Sequence, residues 1–218
     1  MARRTKQEAQ ATRDRILDTA ERVFLKKGVS RTSLADVADA AGVTRGAIYW
    51  HFKNKADLFE AMMDRVSLPM EAMVARAGDK DIEDPLAYVR RCALAVLERI
   101  TSDPQSRRVA EISRYKVEYA DEMTPLRARH IECRTECLGN IERGLRNAGK
   151  KGLLAKSVNP RLAAVGLHAL VDGLITNWVL DTKYLPLAKN AEPLIDGYLN
   201  GLKTGGVSKT RKWRKTHT

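Results

Sequence analysis

The chain is poor in the residues from which catalytic and metal centres are built. Its three cysteines are Cys92, Cys133 and Cys137. An odd number without C-x-x-C spacing argues against a zinc site or a disulfide framework. Cys133 and Cys137 stand four apart on an expected helix and share a face. They read as buried thiols of a reducing compartment, with a redox sensor as the alternative. Four histidines, at 51, 130, 168 and 217, form no cluster. There is no H-E-x-x-H, no phosphate-binding glycine loop and no nucleophile elbow. Enzymatic chemistry is therefore not expected, and neither is a cofactor or a metal. No run approaches the roughly 18 apolar residues of a membrane span. The basic start, M-A-R-R-T-K, is not followed by an apolar signal region. The expectation is a cytoplasmic protein without a membrane partner.

What is present is positive charge and helical periodicity. The 218 residues carry a net charge of +12, unevenly placed. Residues 1–65 hold 13 Lys/Arg against 9 Asp/Glu, residues 66–202 hold 20 against 18, and residues 203–218 hold 6 against none. The excess sits at the two ends, which suits a polyanion and equally suits a solubilising surface.

Apolar residues recur at helical spacing nearly throughout, and no strand or hairpin signal stands out, so an all-α fold of about nine helices is expected. A first helix is expected from about Ala11 to Lys27, with Ile16, Leu17, Ala20, Val23 and Phe24 inward and Gly28 as its stop. Asp84-Pro85, Asp103-Pro104, Thr124-Pro125 and Asn159-Pro160 each join a capping side chain to a proline at the first helical position. The helix after Asn54 places Leu58, Phe59, Met62, Met63 and Val66 on one side, and Pro69 is expected to bend or end it. A last helix is expected over 187–202, followed by a disordered basic tail over 203–218.

The segment T-S-L-A-D-V-A-D-A-A-G-V-T-R-G-A-I-Y-W-H-F-K-N-K, residues 32–55, is the most informative. Ser33 and Asp36 resemble a capping box for a short helix whose Leu34, Val37, Ala38 and Ala41 face a core. Gly42 makes a turn, and Thr44 caps the next helix, with Val43 and Ile48 as a hydrophobic staple. On that helix Ala47 and Ile48 point inward, while Arg45, Gly46, Tyr49 and Trp50 fall on the opposite half of the wheel. Such a face is costly unless something covers it, and a DNA major groove covers it well. Arg45 can make two bonds to guanine. Gly46 removes a side chain where the helix presses on the groove. Ser33, Thr44, Tyr49 and Lys55 can hold phosphates, which set position rather than sequence. Tyr49 and Trp50 also fit plain helix–helix packing, and His51 falls near the inward side. Arg3 and Arg4 belong to a basic segment, residues 1–10, that either reaches along the duplex as an arm or is merely solvated.

The pattern A-D-A-A-G-V-T-R-G-A-I-Y-W-H-F-K-N-K-A-D-L, with M-A-R-R-T-K-Q-E-A-Q-A-T-R before it, resembles the signature of TetR-family transcriptional repressors of the AcrR type. Those proteins guard multidrug efflux-pump operons. The likeness is dense over residues 1–65 and one of layout beyond. It implies a helix-turn-helix DNA-binding domain over 1–54 and a ligand-binding and dimerisation domain over 55–202. It also implies a near-palindromic double-stranded operator, a hydrophobic small-molecule inducer and a homodimer, with two dimers per operator as a variant.

The helices over about 160–180 and 187–202 are expected to pair with their copies across a two-fold axis. The first is apolar nearly all round, and Gly166 and Gly173 would let a helix approach closely. The candidate pocket is lined by Val66, Cys92, Val96, Ser113, Arg114, Cys137, Ile141, Val171, Asp172, Ile175 and Trp178. Inward stripes place a few of these; the family's pocket position supplies the rest. Ordinary core remains the alternative for the aliphatic members, and a structural salt bridge for Arg114 and Asp172. Two other functions stay open: a regulator sensing a metabolite or acyl group, and a non-specific DNA-binding protein.

Overall fold

Helix-start chemistry accounts for most of the element boundaries. The computed structural model describes residues 2–119 and 121–205, without the side chains of residues 2–4 and 121. Among these residues there are nine α-helices and no strand. They are α1 (Ala2–Lys27), α2 (Leu34–Ala41), α3 (Arg45–His51), α4 (Lys55–Ala75), α5 (Pro85–Ser102), α6 (Pro104–Tyr115), α7 (Thr124–Lys150), α8 (Pro160–Leu180) and α9 (Leu187–Lys203). Asp84 Oδ1 accepts the Ala87 N–H at 2.8 Å, Asp103 accepts those of Gln105 and Ser106, and Asn159 those of Arg161 and Leu162. Three of the four Asp/Asn/Thr-Pro pairs thus stop and start helices as their chemistry dictates. At the fourth, a 3₁₀ turn over Asp121–Met123 comes first, and Thr124 is already helical.

Two expectations about local structure need correction. The first helix begins at Ala2 rather than about Ala11, so the backbone of the expected arm, residues 2–10, is helical. Pro69, expected to bend or end its helix, does not end it; α4 runs on to Ala75. A helix interior survives a proline when tertiary packing outweighs the one hydrogen bond lost. Of the tail expected to be disordered over 203–218, Lys203 still belongs to α9 and residues 204–205 form a turn, while 206–218 lie outside the described residues.

Two compact units share these helices. The first comprises residues to Pro69, Ile100–Cys133 and Val179–Asp181. In it α1 packs on α2 and on α6, and α2 packs on α3. Its core gathers Ile16, Leu17 and Phe24 of α1, Val37 of α2, Ile48 of α3, and Leu58 and Met62 of α4, all fully buried. Val109 and Ile112 of α6, with Met123 and Leu126, complete the same core. A buried carboxylate crosses it: Glu21 is 1% exposed. It accepts from Gln105 Nε2 at 2.6 Å and from Arg108 at 3.3 Å, and it lies 3.7 Å from Arg65. Arg65 also donates to Asp18 at 2.8 Å. A carboxylate tolerates such burial only when paired and hydrogen-bonded, so this cluster sets how α1 meets α4 and α6.

The second unit comprises Met70–Arg99, Arg134–Trp178 and the residues from Thr182 on. Arg90 of α5 pairs with Glu192 and Asp196 of α9. Lys151 donates to the carbonyls of Ile82 and Glu83. On α8, Ala163, Ala164, Leu167, Ile175 and Trp178 are buried, while Leu162, Val165 and Leu180 are exposed. By length and composition α8 is able to span a membrane, which corrects the expectation that no segment approaches that size. It carries Arg161, His168 and Asp172, and one side of it is buried in its own unit, so it also fits the description of a packed core helix.

Gly166 admits close approach, as expected, but to α9 of the same chain. A Cβ there would run into the ring and hydroxyl of Tyr198, which donates to the Ala163 carbonyl at 2.7 Å. Among the described residues nothing beyond the helix's own neighbouring backbone lies within 4 Å of a Cβ on Gly173. We expect Gly166→Ala to cost about 1–3 kcal/mol in urea unfolding, as overpacking does. The loss should shrink when Tyr198→Leu is introduced first; an equal loss in both backgrounds would mean Tyr198 is not the obstacle.

Candidate DNA interface

The pair α2 and α3 is built from its caps outward. Ser33 accepts the Asp36 N–H at 3.1 Å, and Asp36 accepts the Ser33 N–H at 2.8 Å, which closes a capping box. The Ser33 side chain, then its backbone N–H, then Lys27 hold the Asp36 carboxyl well below the usual range. Gly42 ends α2 with φ 65°, in the left-handed region that side chains avoid. Thr44 then caps α3 by accepting the Ala47 N–H at 3.1 Å. Three local devices thus aim a seven-residue helix that would not persist alone.

Ile48 is fully buried, and Val43 packs on the core as a partly buried neighbour. Ala47, expected inward, is only half-buried. Arg45 and Gly46 are exposed, and Tyr49 and Trp50 are 58% and 73% exposed. Those exposures answer the packing alternative for both aromatics within the chain. Among the described residues nothing crowds Gly46 either; beyond its chain neighbours and the helix's own backbone, the nearest atom to an added Cβ is Thr44 Oγ1 at 3.9 Å. The fold itself does not demand glycine there, whereas a surface pressed against the helix would.

His51 is half-buried. Trp50 meets its ring edge-on, with centroids 4.5 Å apart. Burial, and secondarily the Arg13 guanidinium, lower its pKa below the ordinary 6.5. The neutral imidazole is therefore favoured at neutral pH. Arg13 itself lies 5.2 Å over the Phe52 ring. We expect the His51 midpoint in an NMR titration to fall below 6.5. The folded state favours the neutral ring, so its contribution to stability is full above that value and lost as pH falls through the window beneath it. A midpoint at or above 6.5 would contradict this.

Lys55 departs from expectation. Rather than standing free for a phosphate, its side chain is 9% exposed and its ammonium lies 3.0 Å from Glu122 Oε1. It also donates to the Ser30 carbonyl at 3.3 Å. A groove of about 490 Å³ runs here, lined among others by Ser30, Arg31, Ser33, Tyr49, Lys53, Lys55 and Glu122. Sequence reasoning missed Arg13, Arg31, Lys53 and Glu122. Arg31 adjoins the motif and Lys53 lies within it, so both were within reach; Glu122, 67 residues from Lys55, had no local signal. The side chains of Arg3 and Arg4 lie outside those described.

The residues expected to line a ligand pocket divide between the units. Val66, Ser113 and Arg114 belong to the first, and the Ser113 hydroxyl donates to the Ala110 carbonyl at 3.1 Å. In the second, Cys92, Ile141, Ile175 and Trp178 are buried, and Val96, Cys137 and Val171 are half-buried. Asp172 is exposed rather than turned into an apolar interior. Burial pushes the thiols of Cys92 and Cys137 up to about 11. Both therefore stay protonated at neutral pH; Cys92 is buried as expected, whereas Cys133 and Cys137 are half-buried.

Two short helices at a glycine turn, the second exposing Arg45, Tyr49 and Trp50, define a helix-turn-helix DNA-binding protein. Residues 16–62 match the family described as bacterial regulatory proteins, tetR family, and residues 84–204 match the C-terminal region of MAATS-type transcriptional repressors. The chain is 40% identical over 203 residues to the HTH-type transcriptional regulator TtgR of Pseudomonas putida, covering 93% of this chain and 97% of that one. Among solved structures it is similar to NalD, the secondary repressor of the MexAB-OprM multidrug efflux pump in Pseudomonas aeruginosa. The TM-score is 0.82 at 33% identity, covering 95% and 100% of the two chains. It is also similar to SmeT in a complex with triclosan, with TM-score 0.81 and 31% identity over 92% and 96%. The chain belongs to the TetR family and is a transcriptional regulator, not an enzyme.

Proposed function

We propose that the chain is a cytoplasmic repressor that binds a near-palindromic operator as a dimer, controls a multidrug efflux-pump operon and lets go when a hydrophobic compound binds. The exposed Arg45–Tyr49–Trp50 face, held from behind by buried Ile48, is the observation that carries the DNA-reading part. Arg45 is the base reader, Thr44 and Tyr49 are positioners, and Ser33 holds a phosphate from the start of α2. Efflux control rests on the similarity to NalD and TtgR. A hydrophobic inducer rests on the similarity to SmeT, whose structure contains triclosan.

Dimerisation is supported by the apolar side chains that the single chain leaves exposed, Leu162, Val165 and Leu180 on α8 and Leu194 on α9. It is also a physical need, since one short recognition helix binds weakly and two heads one DNA turn apart read a palindrome. Release follows from population shift: the inducer binds better to a conformer whose heads are wrongly spaced. Two dimers on one operator are compatible with this scheme.

Arg45→Ala should cost about 1–3 kcal/mol of operator discrimination, read by competition with duplexes substituted one base pair at a time. Unchanged discrimination would remove Arg45 from base reading. For the inducer, a Trp50→Phe, Trp213→Phe background leaves Trp178 as the sole indole. Its fluorescence should change with triclosan over the same concentrations that release operator from the unsubstituted protein; release there with a silent Trp178 would place the inducer elsewhere.

A further inference from the structure

We infer that Glu122 is an internal competitor for a DNA phosphate at Lys55, so that the turn carrying Glu122 governs one backbone contact of the reading head. The inference rests on the DNA-reading assignment above for the direction from which the duplex arrives.

The Lys55 ammonium has three donors. Ser30 and Glu122 take two of them, at 3.3 Å and 3.0 Å. The lysine side chain is 9% exposed, but its carboxylate partner is 52% exposed and lines the open groove. Ser33 and Tyr49, both assigned to phosphates, line the same groove. A carboxylate and a phosphodiester offer an ammonium the same thing, an anionic oxygen at about 2.8 Å. Both cannot be held best at once by a cation already tied to a carbonyl.

The charge balance agrees. The groove's other acid, Asp36, is already matched by Lys27 at 3.1 Å. Arg31, Lys53 and Lys55 therefore share one remaining acid, Glu122, and Lys55 is the cation paired with it. It is also the groove residue that the reading head does not itself supply. It comes from the 3₁₀ turn Asp121–Met123 between α6 and α7, seated by Met123, which is 2% exposed in the head's core. When the turn is seated, Lys55 is withheld from the duplex. When the turn lifts, an ammonium is released into a groove already aimed at phosphates.

The test uses the full chain and two duplexes of equal length, one recovered by selection from genomic fragments and one scrambled. Binding is measured across a salt series for the native protein, Glu122→Gln, Lys55→Gln and the double variant. Glu122→Gln should tighten binding to both duplexes about two- to fivefold at low salt, the range of a part-exposed ion pair. It should also steepen the log affinity–log salt slope by about one, the value of one added phosphate contact. In the Lys55→Gln background the same change should do neither. An unchanged slope overturns the inference. So does a gain that persists without Lys55, since that is long-range repulsion by any acid near DNA. Glu122→Ala repeats the test should the glutamine variant fail to fold. Equal binding of both duplexes by the native protein would sink the operator reading while leaving the slope comparison to judge Lys55 and Glu122.

Discussion

A helix of seven residues has no stability of its own, and everything the reading head does depends on where Ile48 and Phe52 are buried. Two apolar side chains near its C-terminal end anchor α3, and the Thr44 cap and the Gly42 turn set its direction. Because the anchor lies on one side only, Arg45, Tyr49 and Trp50 are left outside at no cost to the fold. The exposed aromatics are the unusual part: a face of that kind is kept for a partner that will bury it.

Charge organises the interior of the same head. Glu21 is buried against Gln105, Arg108 and Arg65, so α1, α4 and α6 are joined by hydrogen bonds of fixed geometry in addition to their shared apolar core. Arg129 bridges Glu60 and Asp64 from α7 to α4 in the same unit. Breaking a buried pair leaves an uncompensated charge, which costs far more than its formation contributes. Such clusters tolerate two discrete arrangements better than a continuum, a property suited to a protein that must hold DNA or release it.

Much of this was legible in the sequence, because the signals involved are local. The Ser33 capping box, the left-handed Gly42, the Thr44 cap, the proline-marked helix starts and the inward stripe of α1 each need only a few neighbouring residues. Failures arose where distant residues decide. Nothing near Lys55 announces Glu122, and nothing near Glu21 announces Gln105 or Arg108. The passage of α4 through Pro69 runs against local preference, whereas the helix over residues 2–10, rich in Ala, Arg, Lys, Gln and Glu, follows it and was missed for want of an apolar stripe. Asp172 looked inward because α8 is apolar around it, yet the packed face of α8 runs along Ala163, Leu167 and Ile175.

The core under the reading helix contains Val109, Ile112, Met123 and Leu126 as well as the residues of α1 to α4. During synthesis, therefore, a ribosome that has released residues 1–62 has delivered the whole recognition motif without the means to fix it. The core stays incomplete until about 60 further residues emerge. The nascent chain carries an apolar surface through that interval, and the head is finished by α6 and the start of α7, which are distant in sequence yet part of the same unit.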